Sequence, residues 1–331
     1  MSRARTETIK TDNANLPMKA RLRSDNLPKG KKVIKVLDCY HGSGAVWRAV
    51  AILQAERTRN GGSKMKVIYE PKGRAREYSP LALNIYKGCD HDCSYCYIKT
   101  MPFSMGDNTA PVPMKNLLDN LRKDMKVCPK DVQVLLSFIG DPYCKANDTQ
   151  KVTRQVLEIL CTAGIKTAIL TKGGTRCLQD LDIFQQMVRD RAWLDSKTAI
   201  KVGATMVFDN NTDQSQYEPG AASPQNRMEA LQNLHMAGIK TWVSLEPVMD
   251  PVQSLRIIDD THDFVDFYKV GVINHFPNPQ PIDWPDFANR AIEKLRKYGN
   301  LFFVKHDLQK HLAPGHGLPA SALDMNYLPS L

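Results

Sequence analysis

From Met65 onward the chain alternates short apolar runs, rich in β-branched and aromatic residues, with stretches of helical period. No other feature constrains the fold as strongly. The strand candidates are Leu83–Tyr86, Val132–Phe138, Thr167–Thr171, Lys201–Phe208, Thr241–Leu245, Phe267–Ile273 and Leu301–Lys305. Helical patterns lie between them at Lys115–Met125, Lys151–Ala163, Leu178–Val188, Pro224–Ala237, Val252–Thr261 and Pro285–Lys297. Pro224 and Pro285 suit a first helical turn, where the missing N–H is harmless. Gly164 and Gly238 follow helices and precede apolar strands, as C-terminal caps do. Strand–helix alternation argues for a parallel sheet with right-handed crossovers. Six or seven such units fit an open or closed barrel better than a flat, doubly wound sheet. The expected class is therefore α/β, a partial or complete barrel of six or seven βα units.

A chain of 331 residues is long enough for one large α/β barrel, and 42% hydrophobic residues suffice for an ordinary core. That composition excludes wholesale disorder. No apolar run approaches the roughly 20 residues of a membrane span, and the N-terminus lacks the apolar stretch of a signal peptide. A soluble, cytoplasmic protein is expected, with no membrane partner. Charge is uneven. Residues 1–76 hold 18 Lys and Arg against 6 Asp and Glu, a surplus of +12, and the remainder holds 27 against 29. A basic arm of this kind meets phosphates or serves as a solubilising leader. The expected organisation is a basic extension over 1–64, a barrel over 65–310 and a tail over 311–331.

Eight cysteines in a chain this long do not suggest a disulfide scaffold. Cys39, Cys128, Cys144, Cys161 and Cys177 are scattered, whereas Cys89, Cys93 and Cys96 stand together in NIYKGCDHDCSYCYIKT (84–100), directly after the first strand candidate. Three thiolates on one loop can hold three irons of a four-iron cluster. Such clusters usually take four cysteines, so the fourth iron is left open for chemistry. The alternative is structural zinc, which needs four ligands. His91 could be the fourth, although its place between two cysteines makes a tetrahedron awkward.

C-x3-C-x2-C with Tyr95 before its last cysteine resembles the signature of radical S-adenosylmethionine (SAM) enzymes. GDPY (140–143), ILTKGGTRCLQDLDIF (169–184), ATMVF (204–208) and SPQNRMEALQNLHMAGIK (223–240) follow in order. Together they resemble the branch related to spore photoproduct lyase, over about residues 65–310. The resemblance implies a 4Fe–4S cluster on Cys89, Cys93 and Cys96. It implies reductive cleavage of SAM to a 5′-deoxyadenosyl radical, with nucleic acid as substrate, lyase-like chemistry and a reductant such as flavodoxin or ferredoxin. It places Tyr95 near the adenine, Gly140 and Asp141 at the turn that binds the cofactor's amino group, and Lys172 and Thr205 facing the site. Arg227 would meet the cofactor carboxylate or ribose, and Glu246 would point into the mouth toward cofactor or substrate. Two departures from the family stand out. The amino-binding turn carries Asp141 in place of glutamate. The position of the lyase's hydrogen-donating cysteine is Phe138, which leaves Cys144 as the nearest thiol and the candidate catalytic residue.

A second glycine motif, VLDCYHGSG (36–44), resembles the first motif of class I methyltransferases, with Asp38 as the acid and Glu70 where a ribose-binding acid would fall. The cysteine motif follows too closely for a complete methyltransferase domain, so an appended β–α unit is the expected reading. His235, His262, His275, His306, His311 and His316 show no metal-binding spacing.

Overall fold

Successive side chains of a strand point to opposite faces, and here the two faces differ in chemistry. The structure is a computed structural model that describes residues 64–100, 109–192, 199–274, 276 and 281–323. Its strands are β1 (Ile68–Tyr69), β2 (Leu81–Leu83), β3 (Tyr86–Lys87), β4 (Val112–Pro113), β5 (Val134–Leu136), β6 (Thr167–Thr171), β7 (Ile200–Thr205), β8 (Lys240–Leu245), β9 (Phe267–Val270) and β10 (Leu301–Val304). The main sheet has the order β1-β2-β5-β6-β7-β8-β9-β10, and every neighbouring pair from β2 to β10 is parallel. Each parallel strand lies beside its predecessor, as in a βα barrel left open between its end strands. The partial form of the expected barrel is the one observed.

The helices relevant to the site are α1 (Leu117–Asp124), α2 (Lys145–Gln150), α3 (Val152–Ala163), α4 (Leu181–Ala192), α5 (Asn211–Tyr217), α6 (Pro224–Met236), α7 (Pro251–Thr261) and α8 (Trp284–Tyr298). Ser223 caps α6 by accepting from the Asn226 N–H, and Asp250 and Asp283 cap α7 and α8 in the same way. One strand face, with Leu83, Leu136, Ile169 and Val202, packs under the helices with Leu121, Leu157 and Phe184. The other carries Ala82, Leu135, Ala168, Trp242, Phe267 and Phe303, a separate cluster on the concave side. Gly203 admits this arrangement, because the Trp242 ring lies where its Cβ would be, 2.5 Å away.

Side chains span the open side of the sheet. The turn Gly73–Glu77 inserts Tyr78 into the concavity, where its ring meets Phe138 at 6.0 Å and Trp242 at 6.3 Å. Buried Glu77 accepts from the His306 N–H at 2.7 Å, and Lys305 Nζ lies 3.4 Å from its carboxylate. The ends of the chain's described core are thus joined without a strand pairing.

Two sequence expectations are corrected. The first barrel strand is Leu81–Leu83, not Leu83–Tyr86, because Tyr86 and Lys87 leave the sheet to pair with Pro113 and Val112. The Tyr86 phenol is drawn toward α2 by donating to Asn147 at 2.8 Å. The stretch before Glu70 is not the second strand of a methyltransferase-like unit but the antiparallel edge of the main sheet, with Ile68 opposite Leu83. The leader, Asp38 with its glycine turn, Cys39 and His275 lie outside the described residues. Among the described residues, no helix is long and apolar enough to cross a membrane.

Candidate active site

The hairpin β3–β4 delivers the cysteine loop to the C-terminal ends of the parallel strands. Gly88 opens the loop at φ +85° and Asp92 adopts φ +49° within it. Its backbone is tied to neighbours on two sides. Ser94 N–H donates to Tyr217 O at 2.8 Å, Gly220 N–H to His91 O at 3.0 Å, and Lys145 N–H to Asp90 Oδ2 at 2.7 Å. Glycine is required at 220, since a Cβ there would stand 1.9 Å from the Asp90 carbonyl oxygen.

Cys89, Cys93 and Cys96 are free thiols on this loop, Cys93 buried and the other two half-buried. Burial pushes the thiols of Cys89 and Cys93 above their ordinary range. Thiolates in such a place need a cation, which a metal centre supplies on coordination. Three thiols with one coordination position left open are the donor set expected of an iron–sulfur loop, whereas closed structural zinc takes four ligands. Among the described residues, one ligating atom each of Cys89, Asp90 and His91 lies within 4.8 Å of the others, so two neighbours of the first cysteine could also approach a metal. Asp90 Oδ1 and His91 Nε2 are buried without a hydrogen-bond partner, so the loop holds polar valence in reserve. Burial also lowers the His91 pKa.

The other residues singled out in the sequence divide into three groups. Gly140 is packed so closely under the loop that a Cβ would lie 2.7 Å from the carbonyl oxygens of Gly88 and Tyr86. Asp141 beside it is engaged internally. Its carboxylate accepts from Tyr143 N–H at 2.8 Å, Thr171 hydroxyl at 2.6 Å and Lys172 N–H at 2.7 Å, and lies 3.5 Å from His91 Nδ1. A carboxylate has about four acceptor positions, so Asp141 locks the turn to the end of β6.

Tyr95, Lys172, Thr205 and Arg227 meet in the second group, around an acid that no motif flagged. Glu218 is fully buried; it accepts from the Tyr95 phenol and pairs with the Arg227 guanidinium. Lys172 Nζ lies 3.6 Å from its Oε1 and 5.1 Å from the centre of the Tyr95 ring. Arg227 is not a solvated helix arginine. It is 1% exposed, and its remaining nitrogens donate to Ala222 O and Thr205 O, each at 2.9 Å. Burial opposes ionisation of Glu218, but Arg227 and Lys172 outweigh it and hold the carboxyl below its usual range. Burial likewise opposes the Lys172 charge, and Cys93 and Glu218 prevail to raise its pKa. An apolar wall completes this side, with Phe208 stacked on Tyr217 at 5.3 Å and Phe276 edge-on to Tyr217 at 6.5 Å. The sole sequence signal for Glu218 is its place before Pro219-Gly220, a turn that carries the chain back beneath the cysteines.

Glu246 and Cys144 form the third group, apart from the second. Glu246 accepts from Tyr78 at 2.6 Å and from Lys305, with Asn274 Nδ2 at 3.4 Å. It follows the end of β8, the strand paired with β7, and its printed contacts lead to Tyr78 and Lys305 instead of to Glu218. Cys144 is 0% exposed in the core beneath the helices, and burial raises its thiol pKa to about 12.

With this geometry in view, comparison with known proteins gives a consistent result. The Radical SAM superfamily profile matches residues 83–265, more than half of the chain. An uncharacterized protein of Methanocaldococcus jannaschii is 28% identical over 195 residues, covering 58% of this chain and 70% of that one. An uncharacterized protein of Mycobacterium tuberculosis is 24% identical over 174 residues, 50% of this chain and 49% of its own length. In fold, the chain is similar to spore photoproduct lyase complexed with dinucleoside spore photoproduct. The TM-score is 0.52 at 12% identity, over 77% of this chain and 94% of that one. It is also similar to Streptococcus suis SuiB bound to S-adenosylmethionine, with TM-score 0.50, 15% identity, and coverage of 81% and 57%.

Proposed function

The chain belongs to the radical SAM superfamily, whose cofactors are a 4Fe–4S cluster and SAM, and from that premise we propose that it is a lyase-like radical enzyme acting on nucleic acid. Bound together, the two cofactors supply a carbon-centred radical by one-electron cleavage of the sulfonium. Cys89, Cys93 and Cys96 would hold the cluster. The observation that carries the cofactor-binding part of this reading is Lys172, a half-buried ammonium near Cys93 with no hydrogen bond at Nζ among the described residues. Its 3.6 Å separation from Glu218 is too long for a hydrogen bond, so its donors remain available to the cofactor's carboxylate. Tyr95, Phe208 and Tyr217 would exclude water beside a bound adenosyl group. Gly140 and Asp141 would fix the turn near the cofactor's amino group, and Thr205 and Arg227 would brace the wall behind it. Glu246, at the end of β8, would face the cofactor or the substrate. A small reductant such as flavodoxin or ferredoxin is the expected electron donor.

Nucleic acid as substrate is supported by the +12 surplus of residues 1–76 and by the fold shared with a lyase solved with a dinucleoside lesion. The same reading divides the chain into a phosphate-binding arm over 1–64, a catalytic unit over 65–310 and a tail over 311–331. Repair of the spore photoproduct itself is not expected to be efficient. Phe138 stands where that lyase family has its hydrogen donor, and Cys144 is sealed in the core. Binding of DNA and RNA oligonucleotides across a salt series tests the substrate class. Affinity should fall with a log–log slope of about −0.7 to −0.9 per phosphate neutralised, and deletion of residues 1–31 should flatten it while sparing cofactor cleavage. Absence of salt-dependent binding to either polymer would remove the nucleic-acid reading.

A further inference from the structure

Glu218 has no assigned role, yet its carboxylate connects three separate pieces of the site. Tyr95 brings the cysteine loop to it, Lys172 the end of β6, and Arg227 the first turns of α6 together with Thr205 of β7. Its own backbone is fixed. Glu218 N–H donates to Gln214 O at 2.7 Å, and its carbonyl accepts from Ala221 N–H at 3.0 Å.

The charges do not balance within this group. Buried Arg227 and half-buried Lys172 are two cations facing one buried carboxylate, and the two cations are bound differently. Arg227 makes three contacts to protein and has 1% side-chain exposure, whereas Lys172 retains 17% and stands outside hydrogen-bond range of Glu218. The surplus positive charge therefore resides on the side chain with donors to spare. Without the Glu218 charge, Lys172 would face the Arg227 cation with no carboxylate beside it, whereas the amide oxygen of a glutamine could still accept from the Tyr95 hydroxyl. An unpaired buried charge is strongly unfavourable. Lys172 would then be drawn to another partner.

We infer that Glu218 is a positioning residue: it holds the Lys172 ammonium in place for the carboxylate of S-adenosylmethionine and thereby sets cofactor affinity. This rests on the reading of Lys172 given above, and it names a residue that acts through that lysine without touching the cofactor.

Equilibrium binding to the cluster-reconstituted protein provides the test, with two probes. S-adenosylmethionine carries the carboxylate. 5′-Methylthioadenosine lacks the amino-acid portion and reports on the adenosyl wall alone. Glu218→Gln should weaken the first by roughly ten- to hundredfold, the scale of a lost hydrogen bond to a charged group, and leave the second within about twofold, since additive background effects are this small. Lys172→Met should give a similar loss, and the double variant should be no worse than Lys172→Met, because both changes remove one interaction. Equal weakening of both probes would mean a merely structural role and overturn the inference, as would additive losses or unchanged affinity for S-adenosylmethionine. If Glu218→Gln fails to retain iron, Glu218→Asp, which withdraws the charge by one methylene, is judged by the same two probes. Failure of the wild-type protein to bind either probe would sink the Lys172 reading itself; wild-type binding with an unaffected Glu218 variant would sink only this inference.

Discussion

Gly220→Ala tests whether the segment before α6 sets the position of the cysteine loop. The added Cβ would lie 1.9 Å from the Asp90 carbonyl oxygen and 2.9 Å from the His91 Cα, both backbone atoms without a rotamer to change. Restoring even a 3.0 Å contact requires a displacement of about 1.1 Å, the difference between 3.0 and 1.9. The hydrogen bond from Gly220 N–H to His91 O, at 3.0 Å, opposes that displacement. Overpacking of this kind costs about 1–3 kcal/mol, and a 1 Å misplacement at a reacting centre costs about a hundredfold in rate. The assay is anaerobic reconstitution followed by iron analysis, visible absorbance and cofactor cleavage. Gly238→Ala is the control, because its φ is +78° but nothing lies within 4 Å of the new Cβ. That change should lower stability by about 1 kcal/mol through backbone strain alone and leave iron content unchanged. Wild-type iron content and cleavage in Gly220→Ala would refute the argument.

Further outcomes follow from burial and from side-chain hydrogen bonds. Cys144→Ala should retain iron and lose about 1–2 kcal/mol of stability through a small core cavity, measured by urea unfolding. With its thiol pKa raised to about 12, Cys144 should also resist a thiol reagent at pH 8 in the folded protein; rapid labelling would contradict its placement. Lys201 is fully buried and desolvation lowers its pKa to about 7 from 10.5. Between these values the unfolded chain binds more protons than the folded one, so this group makes stability rise with pH from about 7 to 10.5. Lys201→Met should flatten that rise and stabilise the protein at pH 7, as pH-dependent urea unfolding will show. Tyr78→Phe should loosen the open side of the barrel, since it removes the hydroxyl that bonds Ser244 at 2.9 Å and Glu246 at 2.6 Å. Faster amide exchange in β8 and β10, with iron unchanged, is the expected signature.

Much of the barrel was legible because its signals are local. Strand runs, the Ser223-Pro224 start of α6 and the cap Gly164 are written in neighbouring residues. The cysteine loop was legible for the same reason. What escaped depends on long-range closure. Glu218 lies 123 residues from Tyr95 and acquires its role only when β6, β7 and the loop converge. Tyr78 stands in no motif, and it gains a role only when its hydroxyl donates to Glu246 and accepts from Ser244, 168 and 166 residues away. Asp141 was singled out as a turn acid, but the sequence could not show that Thr171, Lys172 and Tyr143 engage its oxygens. Arg227 on a polar-looking helix gave no hint of burial, because its partners come from other elements.

Detection of 5′-deoxyadenosine is the most direct test of the central claim. Anaerobically reconstituted protein should be brown, carry about four irons per chain, and release 5′-deoxyadenosine from S-adenosylmethionine on addition of dithionite. Alanine at Cys89, Cys93 or Cys96 should abolish both iron and product while leaving most of the barrel folded, because the three thiols sit on a loop at the strand ends. Colourless, zinc-containing protein without 5′-deoxyadenosine, or wild-type iron content in any one of the three variants, would contradict the account.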